Sequence, residues 1–238
     1  MVNILAIIPA RGGSQRIPGK NLALIAGKPL VEWTIKAAQD SGMCGRIHLS
    51  TDDVKIRAAA EKAGLPVPFL REQHADSHAP LVDVLLYELT RCEAYYGEQY
   101  DAILLLQATS PLRNALHIQQ AVKQFEDTNA PSLISVHAFH GANPWWALTR
   151  DDSGTFQFAH PDKVKQRSQD LPHSYCPNGA IFMARRDVLE AQKTFYVPGA
   201  QAFILPWYAG FDIDEPEDLE LINLLAQQYA PAPLARAS

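Results

Sequence analysis

The stretch Ile4-Leu5-Ala6-Ile7-Ile8-Pro9-Ala10-Arg11-Gly12-Gly13-Ser14-Gln15-Arg16-Ile17-Pro18-Gly19-Lys20-Asn21 decides how the chain is read. Its first five residues are apolar and suit a short buried strand. From Ala10 to Asn21 there are three glycines, one proline and three cations. Glycines let backbone N–H groups come close to a phosphate. Arg11, Arg16 and Lys20 can neutralise its charge, the arginines as planar forks and the lysine as a point charge. Clustered cations repel one another unless something anionic sits among them. A basic, flexible loop at the carboxyl end of a first strand is where open α/β sheets bind nucleotides. The loop is not the dinucleotide fingerprint, because no G-x-G-x-x-G occurs in it. It is not a Walker A loop, which would need glycine at Ser14 and serine or threonine at Asn21.

Outward from this loop, strand and helix patterns alternate. A strand is expected over 3–9. Pro29 opens a helix that closes near Ser41-Gly42. Residues 46–50 read as a strand. Asp52 or Asp53 caps a helix over 54–63, with Gly64 after it. Pro80 starts a longer helix to about Tyr96, with Leu81, Val84, Leu85 and Leu89 at helical spacing. Ala102–Leu106 is a wholly apolar run, expected as a central parallel strand. A helix over 114–127, strands at 133–136, 179–183 and 202–205, and a last helix from Pro216 to Tyr229 complete the series. Between 139 and 177 the alternation lapses, with a hairpin expected around Asp152-Ser153-Gly154. The pattern predicts an α/β fold with a doubly wound, mostly parallel sheet. Residues 1–238 form a single domain, and 139–177 is an excursion from it.

Composition sets the outer bounds. The 238 residues are 47% hydrophobic and 20% charged, ordinary for a globular protein that buries a full core. Cys44, Cys92 and Cys176 are odd in number and widely spaced, which predicts reduced thiols and a cytoplasmic setting. The apolar run before Pro9 is too short for a signal peptide, and no stretch is long enough to cross a bilayer. A net charge of −5 argues against coating nucleic acid, although local cations can still hold small anions.

Three further segments carry chemistry. Ser50-Thr51-Asp52-Asp53 reads either as a helix cap or as an edge of the nucleotide site. Gln107-Ala108-Thr109-Ser110-Pro111-Leu112-Arg113 begins where the central strand ends, at the ligand-facing edge of such sheets. In Phe211-Asp212-Ile213-Asp214-Glu215, two carboxylates at i and i+2 of an extended chain project to one face. Such a pair is costly unless a cation lies between them, and Mg²⁺ suits hard oxygens that share space with phosphates. An acidic helix start with Asp214 as N-cap would account for the same residues.

The string R-G-G-S-x-R-I-P-x-K-N closely resembles the loop of the acylneuraminate cytidylyltransferases, the CMP-sialic acid synthetases and their relatives acting on pseudaminic and legionaminic acids. The resemblance runs from residue 4 to about 221. It includes S-T-D at Ser50–Asp52, F-L-R at Phe69–Arg71, L-L-Q-x-T-S-P-L-R at Leu105–Arg113, R-x-Q-D-L-P at Arg167–Pro172, P-N-G-A-I at Pro177–Ile181 and D-I-D at Asp212–Asp214. It implies a nucleotide-diphospho-sugar transferase-like fold. It also implies transfer of CMP from CTP to a nonulosonic 2-keto sugar acid, with release of pyrophosphate. Arg11, Lys20, Asp212 and Asp214 would be catalytic. Arg11, Gly12, Gly13, Ser14, Lys20, Asn21, Arg71 and Asn178 would bind the nucleotide. Gln107, Ser77, Arg167 and Asn178 would bind the sugar, and Asp212 and Asp214 would hold Mg²⁺. The excursion at 139–177 would be a dimerisation arm and the protein a homodimer, with no nucleic-acid or membrane partner.

The departures from the family all fall on the sugar side. Trp stands at 145–146 where a basic residue is usual, Cys176 stands where arginine precedes P-N-G, and His78 and Pro80 alter a D-T-A-S-S-like stretch. Two other readings stay open on sequence: a sugar-1-phosphate nucleotidyltransferase using another nucleotide, and a non-catalytic nucleotide-binding module.

Overall fold

The computed structural model describes residues 2–74, 79–139 and 143–229. Ten strands and six helices alternate along it. They are β1 (Ile4–Pro9), β2 (Leu24–Ile25), β3 (Lys28–Pro29), α1 (Leu30–Ser41), β4 (Arg46–Ser50), α2 (Val54–Lys62), α3 (Leu81–Tyr96), β5 (Ala102–Leu105) and α4 (Ala115–Thr128). There follow β6 (Ser132–Ala138), β7 (Leu148–Arg150), β8 (Phe156–Phe158), β9 (Tyr175–Arg185), α5 (Arg186–Gln192), β10 (Gln201–Ile204) and α6 (Pro216–Tyr229).

Six strands form the main sheet in the order β10-β6-β9-β5-β1-β4. The expected doubly wound, mostly parallel sheet is present. β4, β1 and β5 pair in parallel, as do β6 and β10, while β9 runs antiparallel between β5 and β6. Alternate residues of β1 face opposite sides. Ile4, Ala6 and Ile8 pack with Val31, Ile35 of α1 and Ile118, Val122 of α4. Leu5 and Ile7 pack with Leu85, Leu89 and Cys92 of α3. Both faces of the sheet are covered, so its loops converge at the two strand ends.

Local punctuation sets several boundaries. The Asp53 side chain accepts from the backbone of Lys55 and Ile56 and caps α2. Asn114 and His117 close a capping box at the start of α4. α1 and α3 each end on a glycine in the left-handed region, Gly42 and Gly97. The short β2–β3 hairpin turns through Ala26 at φ 46° and Gly27 at φ 79°.

A third apolar cluster joins distant parts of the chain. Ile17 from the basic loop, Ile25 and Leu30 from the hairpin region, Leu112 after β5, Ile213, and Ile222 and Ala226 of α6 are buried together. Burying Ile17 and Ile213 in one cluster brings the basic loop and the D-I-D segment to the same place.

The excursion at 139–177 contains its own two-stranded sheet, β7 with β8, joined by the expected turn at Asp151–Thr155. β9 already belongs to the main sheet from Tyr175 onward. All three cysteines are free. No helix among the described residues is long and apolar enough to cross a membrane.

Candidate active site

The basic loop leaves β1 at Pro9 and is held by its own backbone. Ala10 N–H donates to the Ser50 carbonyl at 2.9 Å, extending the β1–β4 register. Gly12 N–H donates to Asp52 Oδ1 at 2.9 Å. A Cβ on Gly12 would lie 2.6 Å from Asp53 Oδ2, so a glycine is needed for this approach. The helix-cap reading of Ser50–Asp53 is realised at Asp53, which caps α2, and the neighbouring Asp52 holds the basic loop. Gly19 turns through φ 69° into a 3₁₀ turn, Lys20–Leu22. Asn21 is buried, and its Nδ2 donates to the Arg11 carbonyl at 2.9 Å.

The loop's cations meet the acidic segment before α6. Lys20 Nζ donates to the Ile213 carbonyl at 2.6 Å and lies 3.7 Å from Asp214. Arg16 reaches Asp214 at 2.6 Å and Glu215 at 2.9 Å. The backbone N–H groups of Asp214 and Glu215 donate to Asp218, so Asp218 and not Asp214 satisfies this helix start. Arg71 is buried, its backbone N–H bonded to the Thr51 carbonyl at 2.7 Å and its Nε without a partner among the described residues. Burial lowers the pKa of its guanidinium, and Arg11 adds to this while Asp52 and Glu88 oppose it. Arg11, Ser14, Arg16, Lys20, Asn21 and Arg71 line one cleft of about 480 Å³. A buried cation with an unused donor facing other cations is suited to a polyanion.

A second cavity of about 550 Å³ opens beside the first. It is lined by Asn178 and Gly179 of β9, by Asp212, and by Phe139, Trp207 and Phe211. The β6–β9 ladder is irregular between Ile134 and Val136. There Ser135 Oγ donates to Asn178 Oδ1 at 2.6 Å and accepts from Ile181 N–H at 2.8 Å. Ala180 N–H also donates to Asn178 Oδ1, at 3.2 Å. This leaves Asn178 Nδ2 buried without a partner among the described residues. Gln107 lies at the end of β5 against Gly179, where a Cβ would come within 2.7 Å of Gln107 Nε2.

The two cavities share a narrow wall. Thr109 lines the first and Asp212 the second, and Ile213 N–H donates to the Thr109 carbonyl at 3.0 Å. Asp212 Oδ1 is buried and has no hydrogen-bond partner among the described residues. Burial raises the pKa of its carboxyl. Thr109 opposes the rise, the Asp214 charge adds to it, and Lys20 opposes it.

Of the expected nucleotide residues, Arg11, Ser14, Lys20, Asn21 and Arg71 line one cleft, while Gly12 and Gly13 belong to the same loop without lining it and Asn178 does not join them. Of the expected metal residues, Asp212 lines the second cavity and Asp214 lies 3.7 Å from Lys20. Asn178 stands in the second cavity and Gln107 against Gly179 of its lining. Arg167 does not join them. It is exposed on the excursion and paired with Asp170 at 2.9 Å. Ser77 lies outside the described residues. Sequence reasoning passed over the Arg16 pairing with Asp214 and Glu215, because nothing local links residues so far apart. It also passed over Ser135, a small polar residue inside an apolar strand pattern, whose only sign was the break in that pattern.

Comparison with known proteins makes the protein a nucleotidyltransferase. The chain belongs to the cytidylyltransferase family, which residues 5–231 match. It is 32% identical over 222 residues to the pseudaminic acid cytidylyltransferase of Campylobacter jejuni subsp. jejuni serotype O:2, spanning 93% of this chain and 95% of that one. It is 34% identical over 239 residues to the CMP-N,N'-diacetyllegionaminic acid synthase of Legionella pneumophila, spanning 95% and 97% of the two chains. Among solved structures, CMP:2-keto-3-deoxy-manno-octonic acid synthetase complexed with CTP shares the fold, with a TM-score of 0.67 and 22% identity over 95% of this chain and 99% of that one.

Proposed function

We propose that the protein transfers CMP from CTP to a nonulosonic 2-keto sugar acid and releases pyrophosphate. The observation that carries this reading is the shared wall at Thr109 and Asp212, with a cation-lined cleft on one side and a cavity bearing Asn178 on the other. The triphosphate lies among Arg11, Lys20 and Arg71, where the Gly12–Gly13 backbone permits close approach. The acceptor lies beside Asn178 and Gln107, with its anomeric 2-hydroxyl toward the wall. That hydroxyl attacks the α-phosphate in line and pyrophosphate leaves. Catalysis is positioning and charge neutralisation by Arg11 and Lys20, in a site partly closed to water.

The donor set fits Mg²⁺. Asp212 Oδ1 is a hard, buried oxygen with no hydrogen-bond partner among the described residues, and Asp214 stands two residues on. Among the described residues no three His, Cys, Asp or Glu side chains gather, so phosphate oxygens and water would complete the shell. When bound, the ion neutralises phosphate charge and favours the ionised acceptor hydroxyl. The excursion at 139–177 serves as the arm of a homodimer, and the enzyme works in the cytoplasm.

A pyrophosphate-release panel tests the reading. CTP, GTP and UTP are each paired with neuraminic, legionaminic, pseudaminic and octulosonic acids, and with sugar 1-phosphates. Release with CTP and a nonulosonic acid is expected. Release only with a sugar 1-phosphate, or with no acceptor at all, overturns it.

A further inference from the structure

Arg113 is buried to 1% exposure, yet it faces no acid. Its Nη1 donates to the carbonyls of Ala180 at 2.7 Å and Gln107 at 3.1 Å, and its Nη2 donates to Thr34 Oγ1 at 2.6 Å. Nε has no partner among the described residues. Burial alone pulls its pKa down, to about 9, and no charge opposes this. A buried guanidinium held only by neutral groups is costly, and a fold retains it where its geometry is needed.

The strand register shows what that geometry does. The antiparallel β5–β9 ladder runs from Ala102↔Arg185 to Leu105↔Phe182 and stops. Continued by two residues, it would pair Gln107 with Ala180. Instead both carbonyls turn to the same nitrogen of Arg113. The guanidinium stands where the next ladder bonds would be, and the strands part around it. On one side of the parting is the Gln107 side chain, on the other Asn178 and Gly179. Thr34 of α1 fixes the other end of the fork.

We infer that Arg113 is a positioning residue for the acceptor side of the site, a wedge that replaces the missing β5–β9 ladder and sets the spacing between Gln107 and the Asn178–Gly179–Ala180 turn. The inference rests on the proposed function for the identity of the acceptor, but not for the wedge itself. Lysine keeps the charge at this position without the planar fork that serves two carbonyls and a hydroxyl at once.

The test uses Arg113→Lys, Thr34→Val and Gln107→Ala in the full-length protein. Arg113→Lys raises KM for the acceptor about tenfold or more, in line with the cost of small misplacements, and leaves CTP affinity unchanged. Thr34→Val, which keeps the arginine and carries the test should Arg113→Lys not fold, shifts acceptor KM the same way by a smaller factor. Combined with Gln107→Ala, Arg113→Lys adds little further loss, because it acts through that side chain. In the unliganded protein, amides of 106–108 and 179–181 exchange faster with deuterium in both Arg113→Lys and Thr34→Val. Unchanged acceptor KM in folded variants, full additivity with Gln107→Ala, or unchanged exchange in those two segments overturns the inference. If the wild-type protein turns over no nonulosonic acid, the functional reading fails, and amide exchange alone still decides on the wedge.

Discussion

Lys20 Nζ donates to the backbone carbonyl of Ile213 at 2.6 Å, across 193 positions of sequence. One hydrogen bond thus ties the basic loop to the segment between the two aspartates. Lys20 is only 14% exposed at its side chain, and the burial of Ile17 with Ile213 reinforces the same junction. The fold itself thus sets the cations of the basic loop relative to Asp212 and Asp214.

Replacing Lys20 with methionine removes both the charge and the tie. The loss of one preorganised electrostatic donor predicts a fall in kcat/KM for CTP of about 10²–10³, or ~3–4 kcal/mol of transition-state stabilisation. Lys20→Arg does not rescue it, because the wider guanidinium cannot occupy the place of a compact ammonium. Pyrophosphate release at varied CTP measures this, and near-wild-type kcat/KM in Lys20→Met would remove Lys20 from the mechanism.

Asp212 and Asp214 differ in a way that stability can read. Asp212 has a buried oxygen without a partner, so Asp212→Asn loses no hydrogen bond from Oδ1 and relieves a desolvated charge. Asp214 is half-exposed and paired with Arg16, so Asp214→Asn gives up an ion pair. Both substitutions abolish Mg²⁺-dependent turnover. Asp212→Asn leaves the melting temperature equal or higher, while Asp214→Asn lowers it slightly. Retained turnover in Asp212→Asn would count against the metal assignment.

Gly12 and Gly13 differ in what surrounds them. A Cβ on Gly12 meets Asp53, whose side chain caps α2, whereas a Cβ on Gly13 meets nothing within 4 Å. Gly12→Ala therefore costs about 1 kcal/mol through the disturbed cap. Gly13→Ala leaves the melting temperature unchanged and raises KM for CTP, because the added methyl occupies space the phosphates approach. If Gly13→Ala binds CTP normally, the backbone at that point does not touch the nucleotide.

What was legible in the sequence follows from locality. α2 is marked by Asp53 before it and Gly64 after it, and α3 by Pro80 and Gly97, so these helices read directly. The cations of the cleft were legible because Arg11, Arg16 and Lys20 are close in sequence. The direction of β9 was not legible, since Ala180–Ala184 is equally apolar whichever way it runs. Its direction is set by antiparallel pairing with β5 and β6, strands distant from it in sequence. The β2–β3 hairpin was hidden because its turn places alanine at positive φ. Arg113 was visible as a letter in a motif, but its partners are two carbonyls, which carry no sequence signal, and the hydroxyl of Thr34, 79 positions away.

Glu88 predicts a pH dependence. It is fully buried on α3, where its carboxylate accepts from Ser50 Oγ at 2.7 Å and faces His48 Nε2 at 3.3 Å. Burial alone would raise its pKa, but the contacts with His48 and Ser50 and the charge of Arg91 outweigh it, and the pKa is lowered from 4.5. A carboxyl with a lowered folded-state pKa stabilises the fold above its unfolded value, and that contribution is lost as pH falls through the folded value. Glu88→Gln removes the charge that accepts from Ser50 Oγ and costs ~1–3 kcal/mol at neutral pH. The gap to wild type narrows once pH drops below 4.5. Urea unfolding at several pH values measures it, and a gap constant with pH would show that Glu88 is not charged in the fold.

The β7–β8 hairpin forms a sheet of its own, and Leu148 and Phe156 on it are 51% and 55% exposed. Exposed large apolar side chains on a small separate sheet suit contact with a second copy. The main sheet does not rely on β7 or β8 for any strand pairing, so charges can be placed there without disturbing the fold. Leu148→Glu with Phe156→Glu is expected to convert a dimer into a folded monomer in sedimentation velocity, with an unchanged far-ultraviolet circular dichroism spectrum. Wild-type protein sedimenting as a monomer at micromolar concentration would dispose of the arm as a dimer contact. A variant that remains dimeric would move the interface to another face of the molecule.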